Sequence, residues 1–175
     1  MSIEKHYTNC LYIHGLHSKV NLAKTAVLEK YVERVTALNI NYTAQLDAYE
    51  ILKQVCLTDS IDLIVGSSFG GYLGFYLSRE LQLPSILFNP AIFFGAEDKM
   101  FLKVKPNTPS PFSYFIMGEQ DDTIPIATTR EFIRKNKVGD NILTVSCNWL
   151  PHMIDLYTFE AMVESGIRMS LKSDL

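Results

Sequence analysis

The chain has 175 residues, 47% of them hydrophobic and 20% charged, with a formal net charge of -3. That length suits one domain with a real apolar core and is short for two, so residues 1–175 are expected to form a single domain. The balance excludes disordered and fibrous classes, and no basic run exceeds the stretch from Arg134 to Lys137, which argues against a nucleic-acid or polybasic membrane surface.

The elements alternate from the start. Thr8–Ile13 reads as a buried strand ending in a turn at His14-Gly15. A helix is expected from Ser18 as N-cap, because Val20, Ala23, Val27, Tyr31 and Val35 recur at three- and four-residue spacing. Val35–Ile40 is read as a second strand, and Thr43–Leu57 as a helix with Leu46, Tyr49, Leu52 and Cys56 facing inward. Ile61–Val65 is a strand running into Gly66-Ser67-Ser68-Phe69-Gly70-Gly71, followed by a helix over Tyr72–Leu81 that Pro84 stops. Ser85–Phe88, Phe112–Met117 and Ile142–Ser146 complete the strands; Pro125–Lys135 and Ile154–Leu171 complete the helices. Pro90–Pro111 holds four prolines and no periodicity, which makes it a loop-rich excursion above the sheet. The alternation predicts an α/β protein: a three-layer α/β/α sandwich around a mostly parallel sheet of about six strands.

No apolar stretch is long enough to span a bilayer, and the run Cys10–Ile13 is too short for a signal-peptide core, so a cytoplasmic protein without membrane contact is expected. Cys10, Cys56 and Cys147 are odd in number and lack a CxxC pattern, which fits buried, reduced thiols.

Gly66-Ser67-Ser68-Phe69-Gly70 matches GxSxG directly between a strand and a helix, the setting in which that motif forms a strained elbow presenting its central serine. Ser68 is therefore the candidate nucleophile, with Gly66 and Gly70 small for steric reasons; Ser67 is one position off the pattern and reads as a turn residue. A serine hydroxyl needs a base. Of four histidines, His6, His14 and His17 precede Ser68, and only His152 satisfies the chain order serine, acid, histidine. The acid that orients the base is expected after the strand ending at Met117. Asp121 is favoured; Asp122 is the alternative acid, with a competing role as cap of the helix near Pro125, and Glu119 is a more distant third. The oxyanion of an acyl-transfer intermediate would be held by the backbone N–H groups of Phe69 and Leu16, leaving His14 to shape its loop. A His14-x-x-His17 metal pair lacks a third ligand at ordinary spacing, and no metal or other cofactor is expected.

Three blocks resemble the YqiA-like family of small bacterial esterases in the α/β-hydrolase superfamily. They are Leu11-Tyr12-Ile13-His14-Gly15-Leu16-His17-Ser18, then Ile64-Val65-Gly66-Ser67-Ser68-Phe69-Gly70-Gly71-Tyr72, then Leu83-Pro84 through Phe88-Asn89-Pro90-Ala91. The resemblance implies a minimal α/β-hydrolase fold with a short loop-type lid, and hydrolysis of small carboxylic esters or thioesters by Ser68 and His152. The rival expectation is a binding or protein-interaction module on the same fold, using Phe93, Phe94 and Phe101 of the proline-rich loop.

Overall fold

A computed structural model describes residues 5–92, 111–136 and 141–173. In chain order the elements are β1 (Tyr7–Ile13), α1 (Leu22–Leu28), β2 (Val32–Ala37), α2 (Ala48–Thr58), β3 (Leu63–Ser67), α3 (Phe69–Leu81), β4 (Ser85–Phe88), β5 (Ser113–Gln120), α4 (Ile126–Asn136), β6 (Ile142–Pro151) and α5 (Leu156–Ser173). The six strands form one sheet in the order β2-β1-β3-β4-β5-β6, and every neighbouring pair is parallel.

The period of two along each strand divides the core. Tyr12, Val65, Ile86 and Tyr114 pair across the sheet and pack with α1 and α5 on one face through Val27, Leu28, Phe159 and Val163. Leu11, Ile13 and Ile64 point the other way, against Leu52 of α2 and Leu73 and Leu77 of α3. Leu87 and Phe115 continue that second face under Phe75 of α3 and Phe132 of α4. Helices thus cover both faces, the three-layer arrangement that buried, nearly all-apolar strands require. The chain steps from β1 to β2 on one side and then returns to place β3 on the other side of β1. This reversal leaves a crevice beyond the carboxyl ends of β1 and β3, where open α/β sheets bind ligands.

Several boundaries differ from the sequence expectation. Asn21, not Ser18, caps α1: its Oδ1 accepts from the amides of Ala23 (3.0 Å) and Lys24 (3.2 Å), while the Ser18 hydroxyl donates to the Gly15 carbonyl. The helix stops at Leu28, and Tyr31 and Val32 lead into β2, which ends at Ala37 instead of running from Val35 to Ile40. A three-to-four-residue spacing continued through Val35 by coincidence; the β-branched Val32, Val35 and Thr36 prefer the strand. α2 begins at Ala48, five residues late, because residues from Asn41 to Gln45 form a turn in which the Ala44 and Gln45 amides donate to the Asn41 carbonyl. Leu46, expected inward, is 74% exposed, whereas Tyr49, Leu52 and Cys56 are buried as expected. β3 starts two residues late because the Asp62 carboxylate accepts the Thr8 and Asn9 amides, so that it staples β1 from outside the ladder. β6 runs on past Ser146 to Pro151. Phe93, Phe94 and Phe101 lie outside the described residues. Among the described residues no helix is long and apolar enough to cross a membrane.

Candidate active site

β3 ends at Ser67 and α3 begins at Phe69, leaving Ser68 alone at the corner with φ 55° and ψ -121°. A serine at positive φ is strained and must be held by its surroundings. Its amide donates to the Phe88 carbonyl (2.9 Å), and its carbonyl accepts from the amides of Tyr72 and Ala91 (3.0 Å each). The flanking glycines are obligatory for contact reasons. A Cβ on Gly66 would lie 2.4 Å from the Gly70 carbonyl oxygen, and one on Gly70 would lie 2.2 Å from that of Ile13. Gly71 abuts Pro90 and the Gly66 carbonyl of β3; Gly74, one turn on, meets Ile64 and Leu87.

The adjacent parallel strands β5 and β6 end side by side, with an irregular register between Gly118 and Gln120. Asp121 follows one and His152 the other. His152 Nδ1 lies 2.8 Å from Asp121 Oδ2 and 3.0 Å from Oδ1. The Asp121 side chain is wholly buried, and its Oδ1 also accepts from the amides of Thr123 (2.9 Å) and Ile124 (2.7 Å). Both amides precede α4, so Asp121 closes the turn leading into that helix and does not cap it. Asp122 is exposed and accepts from the Thr123 hydroxyl. Glu119 is exposed, 3.9 Å from Arg130.

Ser68 and His152 border the same cleft, of about 580 Å³, at the crevice beyond β1 and β3. Leu16 and Phe69 line it as well, on the loop after β1 and at the head of α3. His14 does not. It is buried, its Nδ1 donates to the Gly15 carbonyl (2.8 Å) and its Nε2 accepts from the Ile40 amide (3.1 Å), which fixes the neutral Nδ1–H tautomer. Its own carbonyl accepts from the Tyr42 hydroxyl, so the loop carrying Leu16 is anchored to the chain after β2. His6 and His17 are exposed, and His17 reaches the cleft wall.

Asn89 is a site residue that the reasoning from motifs missed. It is buried at φ 42°, immediately after β4. Its Oδ1 accepts from the Gly118 amide (2.7 Å), and its Nδ2 donates to the carbonyls of Pro151 (3.0 Å) and His152 (3.4 Å). One side chain thus joins the end of β5 to the turn that carries His152. The available signal was an asparagine directly after a buried strand, since asparagine adopts left-handed backbone more readily than other non-glycine residues.

Among the described residues no three His, Cys, Asp or Glu side chains are grouped to hold a metal ion. Burial pushes the Cys56 thiol up to about 12 and raises those of Cys10 and Cys147 too, so all three stay protonated near neutrality.

Solved structures of similar shape share this architecture. A lidless α/β serine hydrolase from Xanthomonas campestris is 18% identical with a TM-score of 0.68, covering 93% of this chain and 81% of its own. Est1E from Butyrivibrio proteoclasticus is 14% identical with a TM-score of 0.66, covering 94% of this chain and 90% of its own. Esterase 2 of Thermogutta terrifontis, in a form phosphoramylated by tabun, is 15% identical with a TM-score of 0.67, covering 95% and 83%. These likenesses establish the α/β-hydrolase fold. Residues 9–138, a segment that holds Ser68, Asn89 and Asp121, match a family of their own, and the chain belongs to it: the uncharacterised protein family UPF0227, the YqiA family.

Proposed function

We propose that this protein is a serine hydrolase of small carboxylic esters or thioesters, working as one domain through an acyl-enzyme. The observation that carries the reading is a serine held at positive φ at a strand-to-helix corner, in one cleft with a histidine bonded to a buried carboxylate. Ser68 Oγ attacks the acyl carbonyl while His152 Nε2 takes the hydroxyl proton; Asp121 keeps Nδ1 protonated and stabilises the imidazolium that forms. The tetrahedral oxyanion is received by the amides of Leu16 and Phe69, the second at the head of a helix whose dipole favours negative charge. Collapse expels the alcohol or thiol, which leaves with the proton from His152. Water activated by the same imidazole then releases the acid and restores Ser68.

The esterase and serine-hydrolase neighbours, one of them phosphoramylated by tabun, support this chemistry. The three buried, unpaired thiols support a reducing, cytoplasmic setting. A fluorophosphonate probe should label the wild-type serine and leave Ser68→Ala unlabelled, and turnover of p-nitrophenyl acetate should fall by about three orders of magnitude or more in that variant. Equal labelling of the two proteins would remove the nucleophile assignment, whereas no turnover across ester, thioester and amide panels alongside a stable complex in pull-down would favour a binding module.

A further inference from the structure

The charge lining the cleft is opposite to that of the whole protein. The chain carries a net -3, yet no Asp or Glu borders the cleft among the described residues, whereas Lys19 and Lys24 both do. Lys19 is exposed at the mouth. Lys24 projects from α1 toward α5, and its ammonium lies 5.1 Å from the centroid of the fully buried Phe159 ring. The acid whose field reaches it, Asp155, stands beyond ion-pair distance, its carboxylate accepting from the amide and the hydroxyl of Thr158 at the start of α5. Among the described residues no carboxylate lies within ion-pair distance of Lys24.

An ammonium that has lost part of its hydration to an aromatic face and has no carboxylate at contact distance is favoured by an anion that enters beside it. Burial lowers the Lys24 pKa and the field of Asp155 opposes that shift. In a cleft with low-dielectric walls and one sign of charge, the same geometry also draws anions in from solvent.

We propose that the substrate of this site is an ester bearing an anionic oxyacid group, a carboxylate or a phosphate, and that Lys24 is the residue that receives it. The proposal rests on the hydrolase reading above and adds the class of substrate. An anion held equally in the ground and transition states lowers KM and leaves kcat nearly alone, so Lys24 acts on specificity and not on the chemical step.

The test uses ester pairs matched in length. p-Nitrophenyl hexanoate and the p-nitrophenyl half-ester of adipate differ in a methyl against a carboxylate at the end of the acyl chain; phenyl acetate and 4-acetoxybenzoate differ on the alcohol side. The wild type should prefer the anionic member of at least one pair by about tenfold in kcat/KM. In Lys24→Met, which keeps the apolar stem against Phe159, that preference should fall by about tenfold through KM, while Lys24→Arg keeps it within about threefold. Added salt should weaken the preference in the wild type. A wild type that favours the neutral esters, or a Lys24→Met ratio equal to that of the wild type in both pairs, overturns the proposal and leaves the hydrolase reading intact. If no ester of either pair turns over in a Ser68-dependent way, the hydrolase reading fails, and calorimetric titration with adipate and inorganic phosphate decides the anion site by itself. Binding of either anion that is lost in Lys24→Met supports it, the tighter of the two assigning the oxyacid; no binding, or equal binding to both proteins, overturns it.

Discussion

Replacing Asn89 should cripple the site without touching any group that contacts substrate. In Asn89→Ala the buried Gly118 amide loses its acceptor, which costs about 1–3 kcal/mol. The Pro151 and His152 carbonyls lose their donor, about 0.5–1.5 kcal/mol more where solvent does not replace it. Alanine at φ 42° adds about 1 kcal/mol of backbone strain that asparagine tolerates better. The expected loss is therefore about 3–5 kcal/mol, a large share of the ordinary stability of about 5–15 kcal/mol, read as a lower urea midpoint. Asn89→Gly separates the terms: it relieves the strain while losing the same hydrogen bonds, so it should be more stable than the alanine variant by about 1 kcal/mol and still be impaired. Asn89→Asp keeps the acceptor for Gly118 but loses the donor to the histidine turn. It should fold and be labelled by a fluorophosphonate probe about ten- to a hundredfold more slowly than the wild type, since a displacement near 1 Å at a reacting group costs on the order of that factor. An Asn89→Asp protein that folds and is labelled at the wild-type rate would refute the clamp, as would an unchanged midpoint in the alanine variant.

Asp121→Asn tests the tautomer. The amides of Thr123 and Ile124 hold the side-chain oxygen, so the new NH₂ must face His152 Nδ1 and force the proton onto Nε2. The protein should fold while kcat falls about 10³- to 10⁴-fold; a loss under tenfold would show that Asp121 does not set the protonation of the base. Asp155 offers a pH signature at the start of α5. Hydrogen bonds from the Thr158 hydroxyl and amide hold its carboxyl below the usual range, so its contribution is fully present above the unfolded value and is lost as pH falls through the folded one. Asp155→Ala should therefore be less stable by about 1 kcal/mol at pH 7, the value of an N-cap, with the difference shrinking as pH falls below the ordinary carboxylate range. A difference that stays constant as pH falls through and below the carboxylate range would mean that packing, not the ionised cap, is what the substitution removes.

The parts of the fold legible in the sequence are those where a single physical requirement has few solutions. Ile64 and Val65 followed by glycine, two serines, phenylalanine and glycine can only be a buried strand turning sharply into a helix, and Ser68 sits at that corner. The first hundred residues were hardest to read where periods overlap: Val20, Ala23, Val27, Tyr31 and Val35 satisfy a helical spacing, but the last two belong to the chain entering and forming β2. Asp121 could be preferred over Asp122 from the sequence, though for an incomplete reason. Only the tertiary turn shows one carboxylate taking both the backbone amides and the imidazole. Asn89 and Lys24 were silent because their partners are distant in sequence: Asn89 bonds Pro151, and Lys24 meets Phe159, contacts between elements that no local pattern encodes.

The two halves of the site come from different parts of the sheet, and the elements that join them follow from its topology. Ser68 stands at the switch point between β1 and β3, whereas Asp121 and His152 hang from β5 and β6 at the far edge, with β4 in between. β4 lies between the strands that carry Ser68 and His152, and the chain at its end is bonded to both sides. On one side the Phe88 carbonyl takes the Ser68 amide and the Ala91 amide reaches the Ser68 carbonyl; on the other, Asn89 binds Gly118 and the Pro151–His152 turn. The sequence Phe88-Asn89-Pro90-Ala91 thus bonds both the corner that holds Ser68 and the turn that carries His152. His152 itself lies beyond the residues that match the family, and the turn that carries it is bonded by Asn89, which lies inside them.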